Sequence, residues 1–431
     1  MRAWLLDDFT GLGSLRLGEV PEPLPGPGEA LLEVHYAALN PADRYLAERQ
    51  YPAQPRLPHI LGRDGIGTVV QLGSGVTKLR PGDRRAILRG EAGGGRPGTF
   101  AQRVAVPADN LVAVPADWTE AEGAGATLVY LTAYQALSMW GPMPAGTAVL
   151  VTGASGGVGV AAVQLASAMG HTVLALTRNA DKARRLRELG AAVTLDPQES
   201  HWREAAKAFL APRRVDLAID SIGGKLLPEV INTLGELGKV SVVGRLAGPV
   251  PSFNTAALLF RRIRLGGVAV GAYTGAESAA AWQHVCQLLA RAGFRPAVDS
   301  IFPFEELPRA FARLAEGHMG KVLLEVRAPV SKSQSWPRSR ASSLRQPCSN
   351  GDSNNDQDCG ENIQDLCRAS PRPALSGRCI IRRTANVSIA YNESSLENQF
   401  SFLDACRQII RFLLLRYRWP RRGRPAEAPL K

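Results

Sequence analysis

A chain of 431 residues, 45% of them hydrophobic, has the bulk of an ordinary globular protein of two or three domains. Its net charge of +12 is unevenly spread: residues 327–431 carry +9 and the first 326 only +3, so the larger part has no nucleic-acid footprint. Cys286 stands alone there, while Cys348, Cys359, Cys367, Cys379 and Cys406 lie beyond, which excludes a disulfide framework and a cysteine zinc cluster from the first 326 residues. No apolar run approaches the ~20 residues that span a bilayer. Met1-Arg-Ala-Trp-Leu-Leu-Asp-Asp puts acids where a signal peptide needs apolar residues, so a cytoplasmic protein is expected.

The chain opens as short strands divided by turn residues. Glu29-Ala-Leu-Leu-Glu-Val-His-Tyr and Gly65-Ile-Gly-Thr-Val-Val read as strands, with Pro21-Glu-Pro-Leu-Pro-Gly-Pro-Gly, Gly73-Ser-Gly and Gly93-Gly-Gly as punctuation. This predicts a β-rich, barrel-like unit over residues 1–122. The pattern then changes. Short apolar strands at Ala148-Val-Leu-Val-Thr, Thr172-Val-Leu-Ala-Leu, Val193-Thr-Leu, Leu217-Ala-Ile-Asp and Lys239-Val-Ser-Val-Val alternate with helical runs, one from Val158 to Met169 and one from Ala180 to Leu189. Gly190 ends the second run. Such alternation predicts a doubly wound parallel sheet, the α/β class, over residues 123–272.

Two further helices, from Ala276 to Ala292 and from Glu305 to Ala315, precede a closing strand at Gly320-Lys-Val-Leu-Leu-Glu-Val. Residues 273–327 are expected to return to the first unit and complete a discontinuous β-rich domain. From residue 328 to 431 the composition turns to Ser, Arg, Pro, Asn and Gln. Too polar to build a core, this tail is expected to be mostly disordered and has no assigned role. Its residues 399–418 could form a basic helix, with 405–418 as the stretch to touch a membrane surface or a partner.

The motif with the most chemistry is Val149-Leu-Val-Thr-Gly-Ala-Ser-Gly-Gly-Val-Gly, between a strand and a helix. A dinucleotide pyrophosphate needs backbone N–H groups at a helix N-terminus. Gly153 permits the tight turn, Gly156 removes a β-carbon from the phosphate's path, and Gly159 lets helix and strand pack closely. Ser155, Gly157 and Val158 complete the loop. An ordinary turn is the plain alternative, and the placement between strand and helix weighs against it. At the next strand tip, where an NAD site carries an acid, stand Thr177 and Arg178, with Lys182 following. A guanidinium and an ammonium suit a 2′-phosphate, so NADPH is expected over NADH. Two solvated surface charges are the plain alternative.

Several segments then fall into a known order: Asn40-Pro-Ala-Asp-Arg-Tyr, Leu61-Gly-Arg-Asp-Gly-Ile-Gly, Val76-Thr-Lys-Leu-Arg-Pro-Gly-Asp-Arg, Gly98-Thr-Phe-Ala-Gln, Leu131-Thr-Ala-Tyr-Gln-Ala-Leu, the glycine loop, Asp220-Ser-Ile-Gly-Gly and Gly320-Lys321. In this, residues 1–326 resemble the medium-chain dehydrogenase/reductase superfamily, and within it the zinc-independent quinone oxidoreductase (zeta-crystallin-like) branch. The resemblance implies a discontinuous GroES-like β-rich domain, a Rossmann domain and a cofactor in the cleft between them. Zinc-dependent relatives have Cys at the position of Asn40 and a His-Glu pair at Arg63-Asp64. Neither Asn nor Arg is a normal zinc ligand, and Glu91-Ala-Gly-Gly-Gly-Arg replaces the four-cysteine lobe. No metal is therefore expected.

The resemblance also places residues. Tyr45 and Tyr51 match tyrosines that line the substrate cleft, where a phenol can hydrogen-bond a carbonyl oxygen; plain packing is the alternative for each. Asn40 can donate through its amide. Arg63 brings a fixed positive charge, or is locked to Asp64 or Asp43. Thr132 would lie near the nicotinamide, Ile222, Gly244 and Val268 would line the strand ends, and Arg245 would add a phosphate contact. His59 reads as structural.

The implied activity is NADPH-dependent hydride transfer to a quinone or an α,β-unsaturated carbonyl, with a small-molecule substrate and a homodimeric assembly. An enoyl-thioester or 2-alkenal reductase uses the same fold and cofactor. A cofactor-binding protein without turnover, structural or nucleic-acid-binding, is the reading from another class. Neither a nucleic-acid nor a membrane partner is assigned, and the basic tail is the one candidate for a surface contact.

Overall fold

The structure, a computed structural model, describes residues 1–89, 91–249 and 254–327. The disorder expected for 328–431 and the basic helix expected at 399–418 lie outside the described residues.

Six parallel strands form one sheet in the order Val193–Leu195, Thr172–Leu176, Ala148–Val151, Val215–Asp220, Leu234–Val242 and Arg264–Gly267. The strand direction reverses its sequence order beside Ala148–Val151, which creates a crevice at the carboxyl ends where ligands of such sheets bind. Ala148–Val151 is buried at every position, the run expected of a strand covered on both faces. The sixth strand, Arg264-Leu-Gly-Gly, is mostly exposed and has no apolar run to announce it in the sequence.

The helices around this sheet differ with their surroundings. Gly157–Ala168 buries every residue from Gly159 to Ala166, and its small side chains let it press against the helices Thr127–Ser138 and Gly275–Ala292. Ala180–Glu188 buries Leu186 alone and is capped by Asn179, whose Oδ1 accepts from the Lys182 amide at 2.9 Å. Gly275–Ala292 starts in a reciprocal cap. The Glu277 amide donates to Thr274 Oγ1 at 3.2 Å, and the Thr274 amide to Glu277 Oε2 at 2.8 Å.

The β-rich part is built on a seven-stranded sheet. Val298–Pro303, Lys321–Glu325, Glu29–Ala38, Asp64–Leu72, Arg84–Ile87 and Leu111–Val112 follow one another, and Arg103–Pro107 pairs separately with Glu29–Ala38. Leu15–Glu19, Arg2–Leu6 and His59–Ile60 form a smaller sheet. The chain's return is direct: Lys321–Glu325 runs antiparallel to Glu29–Ala38, with Leu323 opposite Ala38. Trp4 Nε1 donates to the Phe304 carbonyl at 2.9 Å, and Phe311 meets Phe100 edge-on at 6.0 Å.

Two boundaries differ from the sequence reading. The helix expected from Glu305 begins at Leu307, after a 3-10 turn at Phe304–Glu306, because Pro308 favours the first helical turn. A helix, Pro41–Ala47, also stands where only strands and turns are legible. Seven residues are too few for helical periodicity to show, although Asn40 before Pro41 is a helix-start pair. Among the described residues no helix is long and apolar enough to cross a membrane.

Candidate functional site

The glycine loop caps the crevice. Gly156 is the N-cap of Gly157–Ala168, so the first-turn amides of Gly157, Val158 and Gly159 have no carbonyl of their own helix to bond. Gly153 takes φ 57°, and its amide lies one turn before Gly156, which donates to the Gly153 carbonyl at 2.9 Å. A β-carbon on Gly159 would fall 2.2 Å from the Gly153 oxygen and 2.6 Å from Ala154 Cα. Nothing but glycine fits there without moving the helix. At Gly156 a β-carbon would meet only the Gly153 oxygen at 3.4 Å, so the protein itself leaves that space open. This cradle fits a pyrophosphate.

The neighbouring strand tips are tied to one another. Asp220, buried, accepts from Thr152 Oγ1 at 2.6 Å and from the amides of Ile222 and Gly223 at 3.2 and 3.0 Å. It thereby fixes the turn that carries Ile222 toward Gly153. Burial pushes the Asp220 carboxyl upward. Gly244 donates to the Asp220 carbonyl and Val268 to that of Val242, so both line adjacent strand ends. Thr132 is buried and spends its hydroxyl on the Leu128 carbonyl at 2.7 Å, within its own helix.

Arg178 is exposed beyond the second strand, whose end is pinned by the Thr177 amide on Leu195 at 3.0 Å. Lys182 is half-buried one helical turn on. Burial first, then Arg313 and Arg178, hold its ammonium below the ordinary lysine range, with Asp299 opposing. Arg313 is already held by Asp299 through two bonds of 2.8 Å, while Arg178 is exposed and Lys182 half-buried beside this strand tip.

A second group is made by side chains. Arg63 Nη1 donates to Tyr51 Oη at 2.9 Å, and its guanidinium carbon lies 4.0 Å from the Tyr51 ring centroid. Arg63 Nε is 3.8 Å from Asp43 Oδ1. Of the two carboxylates the sequence offered it, Arg63 pairs with Asp43. Asp64 turns instead to Lys321, at 3.2 Å. Burial pushes the Asp43 carboxyl up to about 6, despite the pull of Arg63. Tyr45 stands between Arg44 and Arg245, whose guanidinium carbons lie 5.4 and 5.5 Å from its ring centroid. Arg245 also donates to the Gln50 carbonyl at 3.1 Å, so its side chain is directed to this group.

The segments Leu61-Gly-Arg-Asp and Gly98-Thr-Phe, separate in sequence, are one contact in space. Thr99 and Phe100 amides donate to the Gly62 and Leu61 carbonyls at 2.9 and 3.0 Å, and Thr99 Oγ1 to the Asp64 carbonyl at 3.0 Å. They hold the turn that presents Arg63. His59, just before it, is buried, and burial lowers its pKa; it serves the packing.

Sequence reasoning missed the buried polar network beneath this group. Lys321 Nζ donates to the Leu39 carbonyl at 2.9 Å, Asn40 Oδ1 at 2.8 Å and Asp64 Oδ2 at 3.2 Å. Thr127 Oγ1 lies 2.9 Å from Asp64 Oδ1, and the Asn40 amide side chain donates to the Ala38 carbonyl at 3.2 Å. Asn40 thus lies inside the network, at 5% exposure, with its amide already engaged. Burial raises the Asp64 carboxyl against the pull of Lys321. The one available signal was Lys321 itself, a cation directly before the apolar run Val322-Leu-Leu. Among the described residues no three His, Cys, Asp or Glu side chains converge as metal ligands would.

Comparison with known proteins agrees with this architecture. The alcohol dehydrogenase GroES-like domain family matches residues 26–116, and the zinc-binding dehydrogenase family residues 157–291. The chain is 31% identical over 346 residues to the synaptic vesicle membrane protein VAT-1 homolog of Homo sapiens, covering 75% of this chain and 86% of that one. It is 31% identical over 331 residues to the quinone oxidoreductase of Lama guanicoe, covering 75% of this chain and 97% of that one. Among solved structures, a mycobacterial protein complexed with NADPH superposes with a TM-score of 0.69 at 28% identity, over 76% of this chain and 100% of that one.

Proposed function

The chain belongs to the medium-chain dehydrogenase/reductase superfamily, in its zeta-crystallin-like quinone oxidoreductase branch, and is an oxidoreductase; from that premise we propose that it reduces a quinone or an α,β-unsaturated carbonyl with NADPH, without zinc. The observation that carries the reading is the pairing of a glycine cradle with two cations, the exposed Arg178 and the half-buried Lys182, at a strand tip that has no acid. The related mycobacterial structure holds NADPH. Domain limits of 1–122 with 273–327, and 123–272, follow the same proposal.

NADPH supplies the hydride. In our reading the protein does the rest. Gly157, Val158 and Gly159 amides receive the pyrophosphate, and Arg178 with Lys182 the 2′-phosphate. Tyr51 accepts a hydrogen bond from Arg63, so its own hydroxyl proton is free to donate to the acceptor oxygen. Arg63 polarises that donor and offsets the negative charge that grows on the oxygen. Tyr45, held between Arg44 and Arg245, borders the acceptor's space, and water delivers the final proton. Asn40 and Arg63 occupy positions where zinc-dependent relatives carry ligands, and neither residue type holds zinc.

Assembly as a homodimer is part of the proposal. Arg264–Gly267 leaves one edge of the parallel sheet unpaired among the described residues, and Leu259 and Phe260 beside it are 71% and 79% exposed. A second copy would cover both. The lone cysteine of residues 1–326 fits the reducing cytoplasm.

The test is NADPH oxidation by the purified full chain with a panel of quinones, enals and enoyl thioesters. Turnover of quinones or enals supports the reading. Preference for enoyl thioesters replaces its substrate, and tight NADPH binding with no turnover replaces it by a binding role. Metal analysis should find well under one zinc per chain, and a stoichiometric zinc that tracks activity overturns the zinc-free mechanism.

A further inference from the structure

A buried lysine demands a reason. Lys321 is 4% exposed, yet its three N–H groups meet three acceptors: the Leu39 carbonyl, Asn40 Oδ1 and Asp64 Oδ2. A buried charge pair is weak support for stability, because apolar residues of equal volume fill such space as well. Its worth lies in fixing one arrangement. An ammonium only donates, so the Asn40 side chain must turn its oxygen to Lys321 and its amide nitrogen to Ala38.

What Lys321 joins is then the question. On one side its own neighbour Gly320 donates its amide to the Ser155 carbonyl, in the middle of the glycine loop, at 2.9 Å. A β-carbon on Gly157 would meet Lys321 Cδ at 3.0 Å, so the lysine stem lies against the loop as well. On the other side Asn40 donates its backbone amide to Asp43 Oδ2 at 2.9 Å. Asp43 pairs with Arg63 at 3.8 Å, and Arg63 bonds Tyr51 at 2.9 Å. A path of backbone, hydrogen bonds and one longer ion pair, Asp43 to Arg63 at 3.8 Å, runs from Ser155 to the Tyr51 hydroxyl.

We propose that Lys321 is a positioning residue that couples the glycine loop to the Arg63–Tyr51 pair, so that filling the loop sets the acceptor-side hydroxyl. The proposal rests on the functional reading above for what fills the loop and what the hydroxyl does. Lys321 itself touches neither cofactor nor acceptor in this role. It acts through Asn40 and Asp43. Coupling along this path is read by measuring one end while the other is changed.

The experiment uses the full chain and the paired variant Lys321→Met/Asp64→Asn, which removes both charges together and leaves no ion buried alone. Amide hydrogen exchange over residues 40–51 is followed with and without NADPH. In the wild type, NADPH should slow that exchange. In the paired variant NADPH should still bind, and exchange over 40–51 should no longer respond. With an acceptor, kcat should fall about tenfold while KM for NADPH moves by less than about threefold. Adding Tyr51→Phe to the paired variant should then lower kcat by less than Tyr51→Phe does alone, because both changes act on one hydroxyl. If the paired variant does not fold, Lys321→Arg carries the same comparison, since a guanidinium keeps the charge but cannot reach the same three acceptors. An intact exchange response in either variant, or fully additive kcat effects, overturns the proposal. A wild type that binds no NADPH overturns the functional reading and this inference with it. A wild type that binds and turns over NADPH without any change at 40–51 overturns this inference alone.

Discussion

The two halves of the candidate site are made of different material. The glycine loop is main chain: amides at a helix start, a turn at φ 57°, and a helix pressed to 2.2 Å of what a β-carbon would need. The second half is side chain on side chain, with Arg63 on Tyr51 and Arg245 on Tyr45. A main-chain device tolerates one residue type and fails outright when that residue changes. A side-chain device is adjustable, and its parts lose function by degrees.

The sharpest way to break that contrast is Gly159→Val. Its β-carbon overlaps the Gly153 carbonyl, so the helix must shift at a cost of about 3 kcal/mol or more. NADPH affinity measured by nicotinamide fluorescence should fall beyond detection, and thermal melting should lose cooperativity. A variant that binds NADPH normally would show that the loop is as adjustable as the second half.

Arg178→Ala comes next. It belongs to the loop's half of the site but is a side-chain contact, so it should weaken NADPH by about 1.5–3 kcal/mol, or roughly 10- to 100-fold, and leave NADH nearly unchanged. Equal losses for both cofactors remove Arg178 from the 2′-phosphate site. Tyr51→Phe should be milder. It deletes the hydroxyl that Arg63 holds, and with water able to substitute, kcat for the acceptor should drop about tenfold with NADPH affinity preserved. A tenfold loss of NADPH affinity instead would place Tyr51 on the cofactor side.

The remaining effect is a pH dependence of stability. The Asp43 carboxyl stands at about 6 in the folded chain against an ordinary 3.8. The folded state therefore holds this proton more tightly than the unfolded one. The stability this contributes is fully present below about pH 4 and is lost as pH rises through about 6, at most about 3 kcal/mol. Relative to Asp43→Asn, which cannot titrate, the wild type should lose several degrees of melting temperature between pH 4.5 and 7. Parallel curves for the two proteins would mean that Asp43 is ionised throughout, held by Arg63.

The same contrast explains what could be read from the sequence. The loop was legible, since glycines at 153, 156 and 159 between a strand and a helix have few other uses. The strands Ala148–Val151, Thr172–Leu176 and Val215–Asp220 were legible for a similar reason: near-complete burial leaves a continuous apolar run. Arg264–Gly267 was not, because an exposed edge strand carries no such run. In the second half the resemblance supplied residue types, but partners are decided in three dimensions. Arg63 had two candidate carboxylates one and twenty residues away, and nothing in spacing told that Asp64 was already taken by Lys321, which arrives from the far end of the described chain. Asn40 offers an amide on paper, and only packing shows that the amide is spent inside the network.

The late return of the chain has a consequence for how this protein is born. Trp4 bonds Phe304, 300 residues onward, and the strand Lys321–Glu325 enters the sheet beside Glu29–Ala38 rather than at its rim. During synthesis the first β-rich segment therefore emerges with a gap in its sheet. It must wait, with Tyr36–Ala38 open on one side while Glu29–Glu33 already pairs with Arg103–Pro107, until the whole parallel-sheet domain has followed it from the ribosome. That domain, whose neighbouring strands lie close in sequence, has every piece it needs sooner and folds first. The open strand is in the interval a target for chaperones and for stray pairing, so a slow ribosome lengthens the exposure and a fast one shortens it.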